Sequence, residues 1–335
     1  MKRVLLTGGG GAIGAHVIAH IMQHTDWQVT VLDSFRHKGY RDRIVEVCRD
    51  YPVWNDRIKV LQHDLVCPIS PELKSQVGEV NYILHLAAMS DVFFSVENPV
   101  YVIKNNVDSQ LTMLEYAKDT EHEAFVYFST DEVYGPVEKG KAHPEWSTYR
   151  PSNAYSASKA AAECIAYPYW RKGEVKLIIT NTMNNFGEMQ APSKFPAMVQ
   201  KKLESGEPVI IHGNEQEIGT RFYIHSRNTA DALLYILQNF PPHLHEQGEL
   251  DDPDRYHIVG DRCLSNLELA QIIAELMGKE LDYRLVDFHR DNPAHDIHYG
   301  LEDNKLRKSG WQPPVSFEES MKNTIEWQQE HKEWA

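Results

Sequence analysis

The sequence predicts an α/β fold, a doubly wound parallel sheet with helices on both faces, joined to a smaller and mostly C-terminal domain. Three observations predict it. Short apolar runs alternate with longer helical patterns through the first half, as strands joined by helical crossovers do. A glycine-rich turn, "TGGGGAIG", separates the first run from the first helical stretch. After about residue 184 the helical patterns lie among proline-rich loops instead.

Taken in order, "RVLLTG" reads as a strand, "AIGAHVIAHIMQHT" as a helix and "QVTVLD" as a second strand. "IKVLQHDL", "YILHLAA", "AFVYFST" and "VKLIITN" are further strands, with helical stretches such as "SQLTMLEYAKDT" between several of them. "FPAMVQKKLESG", "NLELAQIIAELMG" and "SFEESMKNTIEWQQEHK" are later helices, and "RFYIHSRNTADALLYILQNF" is expected to return to the first domain. The expected division is 1–183 plus about 221–257 for the first domain, and 184–220 plus about 258–335 for the second. There are no internal repeats.

Of 335 residues, 42% are apolar and 24% charged, the balance of a globular chain with a real core. The net charge of -14, with no block of Lys or Arg, excludes a non-specific nucleic-acid binder. A polyanionic ligand would need cations supplied locally. Cys48, Cys67, Cys164 and Cys263 lack ligand spacing and read as reduced thiols of a cytoplasmic protein. The histidines of "PPHLHEQGELDDPDR" lack helical ligand spacing, so no metal site is expected. No apolar run approaches the ~20 residues of a membrane span. Met1-Lys2-Arg3 leads directly into a strand, so no secretory leader is read.

Gly9-x-Gly11-x-x-Gly14 fits the dinucleotide fingerprint, whose glycines allow a tight turn and close approach of a pyrophosphate. Asp33 ends the second strand, 19 residues beyond Gly14. A carboxylate there accepts both ribose hydroxyls of NAD and repels the 2′-phosphate of NADP; Arg36 and Lys38 pull the other way. In "FSTDEVYG" an apolar run ends in Thr130, Asp131 and Glu132. That is ordinary turn chemistry, with Gly135-Pro136 following, or it is a catalytic group. "YSASKAAAE" places Tyr155 and Lys159 on one helical face, where an ammonium favours the phenolate. Alone, such a pair is common on helices.

Together these motifs resemble the extended short-chain dehydrogenase/reductase family over nearly the whole chain. The resemblance implies a Rossmann fold with NAD against Gly8, Gly11, Ala12, Ile13, Gly14 and Asp33. It places adenine by Asp64 and Leu65 of "HDL", and the nicotinamide ribose by Leu86, Ala87 and Ala88 of "HLAAMS". Within the family, "STDEVYG", "PSNAYSASKA", "NNFGEMQAPSKFP" and "RFYIHSRNTADAL" are similar to nucleotide-sugar 4,6-dehydratases of the dTDP-glucose type. What that implies is oxidation at C4 of a hexose, loss of water across C5 and C6, and return of the hydride to C6. Tyr155 would then take the 4-hydroxyl proton, Lys159 hold the phenolate and ribose, and Thr130 bond the C4 oxygen. Glu132 would be the C5 base and Asp131 the acid for the C6 hydroxyl, which requires one carboxyl to stay protonated.

By the same resemblance Asn185 lies beside the nicotinamide, while Ser90, Thr130, Asn184, Lys194, Arg221, Asn292 and His295 touch the nucleotide-diphosphate sugar. Two departures leave the nucleotide and the sugar open. "DNPAHDIHY" stands where those enzymes tend to read Asp-Arg-Pro-Gly-His-Asp-Arg-Arg-Tyr, so Asn292 and Ile297-His298 replace arginines and Arg290 is the candidate substitute. Phe93-Phe94 stands where Asp-Arg is usual. A C4 epimerase or uronate decarboxylase of the same family needs no acid at Asp131, and a non-catalytic NAD-binding protein needs none of the catalytic set. The stretches "NPVYVIKNNVDSQLTMLEYAK" and "YSASKAAAECIAYPYW" correspond to the family's dimer helices, implying a homodimer. A face buried within the monomer gives the same pattern. Pro168 should kink or end the second of these helices.

Overall fold

The computed structural model describes residues 1–36, 40–246, 251–287 and 296–334. Its centre is a parallel sheet of seven strands: β1 (Arg3–Thr7), β2 (Gln28–Asp33), β3 (Ile58–Gln62), β4 (Tyr82–His85), β5 (Ala124–Thr130), β6 (Leu177–Thr182) and β10 (Asp254–Ile258). The order β10-β6-β5-β4-β1-β2-β3 puts the first strand inside the sheet. The chain winds outward on one side through β3, then returns and winds the other way from β4. This is the doubly wound sheet expected from the sequence. A crevice opens beyond the carboxyl ends of β1 and β4, where the direction reverses.

Strands covered on both faces read as continuous apolar runs. All seven residues of β5 and all six of β6 are buried. Because side chains alternate along a strand, Val4 and Leu6 enter one core while Leu5 enters the other. The first core holds α1 (Ala12–His24) and α8 (Ser226–Asn239), through Val17, Ile18, Ile21, Leu233 and Ile236. The second holds α5 (Pro99–Lys118) and α6 (Ala154–Arg171), through Met113, Leu114, Ala162, Ala166 and Trp170. Short helices α2 (Arg41–Cys48), α3 (Pro71–Val77) and α4 (Val92–Glu97) complete this half.

Helix α6 starts in a capping box: Asn153 Oδ1 accepts from Ser156 N at 2.9 Å, and Ser156 Oγ accepts from Asn153 N at 3.2 Å. Pro168 does not end it at once: the helix runs on to Arg171, although the proline offers no N–H to the Cys164 carbonyl one turn back.

A second region packs around Phe186, Val199, Leu203, Leu269, Ile273 and Met321. It contains α7 (Phe195–Ser205), α9 (Asn266–Leu276), α10 (Asn304–Lys308) and α11 (Phe317–Glu330). Strands β7 (Asn184–Phe186), β9 (Thr220–His225) and β11 (Arg262–Ser265) form one small sheet, and β8 (Val209–His212) with β12 (Tyr283–Val286) another. Of the stretch expected to return to the first domain, α8 packs there while β9 joins the small sheet. No helix among the described residues is long and apolar enough to cross a membrane.

Candidate active site

The glycine turn sits in the crevice. Gly8 has φ +75°, and a Cβ on it would lie 2.8 Å from Ala87 N. A Cβ on Gly14 would lie 2.2 Å from Gly8 O, so only glycine lets α1 approach the turn this closely. Gly11 caps α1 without a side chain, which leaves the first-turn amides of Ala12 and Ile13 available to an anion. Asp33 is buried at the end of β2, its Oδ2 accepting from Gly10 N at 2.9 Å and its Oδ1 from Phe35 N at 2.8 Å. These two bonds aim the carboxylate at the rim of the turn.

On the far rim Arg36 Nη2 donates to Asp64 Oδ1 at 2.7 Å, and Leu65 is buried behind it. Leu86, Ala87 and Ala88 follow β4, with Ala87 N donating to Thr7 Oγ1 at 3.2 Å. Thr7 Oγ1 lies 2.7 Å from His85 Nδ1. Burial, reinforced by the charge of Lys159, pushes His85 down to about 3, so it is neutral.

At the carboxyl end of β5 the chain makes one 3₁₀ turn, Asp131–Tyr134, in front of α6. Thr130 Oγ1 donates to Asp131 Oδ1 at 2.8 Å, while Asp131 Oδ2 is buried with no partner among the described residues. Glu132 Oε2 accepts from Asn153 Nδ2 at 3.0 Å. Burial raises both carboxyls above their usual range, and the charge of Glu132 raises Asp131 further. Two such groups side by side favour one proton between them. A turn alone would leave its carboxylates in water, so this burial weighs against the plain-turn reading of "STDEVYG".

Burial also lifts Tyr155 far above its ordinary value, with help from the charges of Glu132 and Asp131 and against its bond to Thr130. One turn on, burial lowers Lys159 to about 7, opposed by Glu163. Its Nζ donates to Phe128 O at 2.7 Å and lies 4.2 Å over the Tyr127 ring. Thr130, Asp131, Glu132, Tyr155 and Lys159 therefore gather at the end of β5. A buried phenol, an adjacent ammonium and a carboxyl pair can take an alcohol's proton while a hydride acceptor takes its hydride, and can move two further protons.

The residues expected to touch a nucleotide sugar are less uniform. Ser90 and Asn184 are exposed, and Lys194 precedes α7, close enough for its charge to act on Glu132. Asn185 is tied inward: its Nδ2 donates to Met183 O at 3.0 Å and its Oδ1 accepts from Thr229 at 2.7 Å. The Arg221 guanidinium donates to Thr220 O at 2.8 Å, Ile297 O at 2.5 Å and Asp296 O at 2.6 Å, and lies over Tyr299. Its charge reaches both Asp131 and Glu132. Phe94 packs with Met89 and Val102 against Tyr155, making an apolar wall. Asn292 and His295, like Lys38 and Arg290, lie outside the described residues.

Residues 4–246 match the NAD dependent epimerase/dehydratase family. The chain belongs to that family. Among its relatives is the mouse dTDP-D-glucose 4,6-dehydratase, 30% identical over 97% of this chain and 88% of the relative. A trifunctional UDP-glucose 4,6-dehydratase of Arabidopsis thaliana is 30% identical over 99% of this chain and 48% of its own length. The solved dTDP-glucose 4,6-dehydratase DesIV of Streptomyces venezuelae, which has NAD bound, superposes with a TM-score of 0.86 at 28% identity, covering 99% of this chain and 98% of its own.

Two groups of residues near these motifs escaped the sequence reading. Asn153, which steadies Glu132 as well as capping α6, carries a local signal in "PSNAYS". His16, Glu188 and His225 carry none, yet their donor atoms lie within 4.8 Å of one another. Although this cluster has metal-ligand chemistry, His225 Nδ1 accepts from Arg227 N at 3.0 Å, so a ring proton can sit only on Nε2, the atom 2.9 Å from Glu188. His16 Nε2 faces the Glu188 carbonyl, which can only accept, at 3.2 Å. The cluster ties α1, the loop after β7 and the end of β9 together.

Proposed function

We propose that this chain is an NAD-dependent nucleotide-sugar 4,6-dehydratase, a hydro-lyase converting an NDP-hexose into an NDP-4-keto-6-deoxyhexose. The observation that carries the reading is buried Asp131 and half-buried Glu132 beside Tyr155 and Lys159. The glycine turn, the uncapped start of α1 and buried Asp33 fit a dinucleotide, with Asp64, Leu65, Leu86, Ala87, Ala88 and Asn185 completing its path. NAD, when bound, accepts the C4 hydride and later returns it to C6.

The chain's own residues move the protons. Tyr155 takes the 4-hydroxyl proton, and the Lys159 ammonium holds the phenolate. Thr130 bonds the C4 oxygen, stabilising charge there. A C4 ketone acidifies C5, and Glu132 removes that proton. Asp131, with Oδ2 free of other bonds, gives its proton to the C6 hydroxyl, which leaves as water. The charges that hold Tyr155 protonated are those of the two carboxyls, so a proton kept on Asp131 also eases formation of the phenolate.

Ser90, Asn184, Lys194, Arg221, Asn292 and His295 remain the proposed contacts to the nucleotide sugar. Arg221 spends three of its five N–H donors on carbonyls, which hold the guanidinium in place and leave Nε–H and one Nη2–H for its share of diphosphate binding. The division into 1–183 plus about 221–257 and 184–220 plus about 258–335 is proposed with it, supported by α8 and β10 on the large sheet. A cytoplasmic homodimer is the proposed setting; exposed Val100, Ile103 and Leu111 on α5 supply an apolar face for it.

The test is mass analysis of products from a panel of dTDP- and UDP-hexoses, with substrate deuterated at C4. The dehydratase reading expects loss of one water and deuterium at C6. Unchanged mass with deuterium still at C4 rejects it in favour of an epimerase.

A further inference from the structure

Behind the catalytic end of β5 lies a buried polar network that no step above uses. Glu163 is fully buried on α6, one turn beyond Lys159 and on the same face. Arg255 of β10, 8% exposed, donates through Nη1 to Glu163 Oε2 at 2.5 Å and to Asn181 Oδ1 at 3.0 Å. Tyr149 Oη donates to the same Glu163 oxygen at 2.7 Å and accepts from Arg255 Nη2 at 2.6 Å. Asn181 Nδ2 donates both to Glu163 Oε1 at 2.9 Å and to the Thr130 carbonyl at 3.0 Å. Tyr134 Oη, within 3.0 Å of both Arg255 Nη1 and His257 Nε2, closes the network.

Every polar atom of the Glu163 carboxylate is therefore held, from β6, β10 and the loop before α6. Its two outlets are the backbone of Thr130 and the space under Lys159. We propose that Glu163, clamped by Arg255 and Asn181, is a positioning residue that keeps Lys159 cationic and fixes Thr130 at the end of β5. This rests on the reading of Tyr155 and Lys159 as the oxidising pair.

The physical reason is that Lys159 is as buried as the carboxyls it serves. Around it are the Phe128 carbonyl and Tyr127 ring on β5, His85 on β4, and Tyr155 and Glu163 on its own helix. His85 is neutral and Tyr127 is held protonated by burial, so neither offsets the cost of burying an ammonium. Among the described residues Glu163 supplies the one negative charge that acts on Lys159, and it opposes the fall caused by burial. Arg255 makes that charge tolerable in the core without touching Lys159, since an unpaired buried carboxylate would neutralise itself.

The experiment follows the Lys159 amine by lysine-selective ¹³C NMR across pH, on the protein as purified with its cofactor, assigning the signal with Lys159→Arg. Glu163→Gln should lower the titration of Lys159 by about one pH unit or more. It leaves Arg255 unpaired and endangers the fold. The double variant Glu163→Gln/Arg255→Met removes the whole pair, which the fold tolerates better than breaking it, and should show a smaller fall in the same direction because a cation leaves with the carboxylate. Arg255→Lys keeps the charge and should titrate as the parent does.

The alkaline limb of C4 oxidation should move with the resonance. Unchanged Lys159 titration in Glu163→Gln and in the double variant would overturn the proposal, as would a limb that stays put while the resonance moves. If the parent oxidises no nucleotide hexose, the dehydratase reading fails by itself and the NMR titration still decides the role of Glu163.

Discussion

Glu132→Gln is the substitution that most directly separates chemistry from structure. Gln has nearly the same shape, and its amide oxygen can accept the Asn153 Nδ2–H that Glu132 Oε2 accepts at 3.0 Å. No cavity opens and no donor is stranded, so the cost falls on basicity. Loss of a general base typically removes about 10²–10⁴ in rate, or about 2.7–5.4 kcal/mol in barrier at about 1.36 kcal/mol per decade.

Oxidation at C4 should survive, because the Glu132 charge helps hold Tyr155 protonated and its removal eases phenolate formation. Asp131 remains an acid, since burial outweighs Glu132 in raising it. Rapid mixing with substrate should therefore show reduced nicotinamide accumulating in the near ultraviolet to about one equivalent per site. Deuterium from solvent should not enter C5. Turnover within about threefold of the parent, or C5 exchange at the parent rate, would refute the assignment of the base.

The complementary variant, Asp131→Asn, keeps an oxygen for the Thr130 hydroxyl but cannot release a proton from the Oδ2 position. C5 exchange should persist while water loss slows about 10²–10⁴-fold, as followed by product mass. Gly14→Ala places a methyl 2.2 Å from Gly8 O, so the turn must open. The expected loss is about 1–3 kcal/mol of stability together with most co-purified NAD, read by thermal unfolding and chromatography; an unchanged cofactor content would contradict the packing argument. His16, His85 and His257 are lowered by burial from the ordinary 6.5 to about 4, 3 and 3. The unfolded chain thus binds more protons below 6.5, and stability should fall as pH drops from 6.5 toward 4, by up to about 2 kcal/mol per histidine at pH 5. Urea unfolding at pH 7 and pH 5 measures it, and equal midpoints would contradict the shifts.

The large sheet could be read from the chain because its strands are covered on both faces, which turns "AFVYFST" and "VKLIITN" into unbroken apolar runs. Strands β7, β8, β11 and β12 span only three or four residues, too few for a period to register. For β9 the partners could not be read: pairing with β7 and β11 is decided by strands that lie on either side of it in the chain. The same contrast governs the site. Gly9-x-Gly11-x-x-Gly14 and Tyr155-x-x-x-Lys159 work at fixed local spacing, so they show in the sequence. Glu163 and Arg255 stand 92 positions apart, and only the return of β10 to β6 makes them partners. Pro168 was expected to kink or end α6, and the helix continues through it to Arg171 before stopping, within one turn.

That late return has a consequence for synthesis. Until residues 254–258 leave the ribosome, β6 is the outer strand of the sheet, and all six of its side chains belong to the interior. A nascent chain ending near residue 240 thus exposes an apolar strand edge able to pair with another chain. It also lacks Arg255, so the carboxylate of Glu163 has no cation to justify its burial. The N-terminal two-thirds should therefore aggregate if made alone, although they contain the glycine turn and every proposed catalytic side chain. Ordering of the catalytic centre waits for a strand that carries none of its reacting groups.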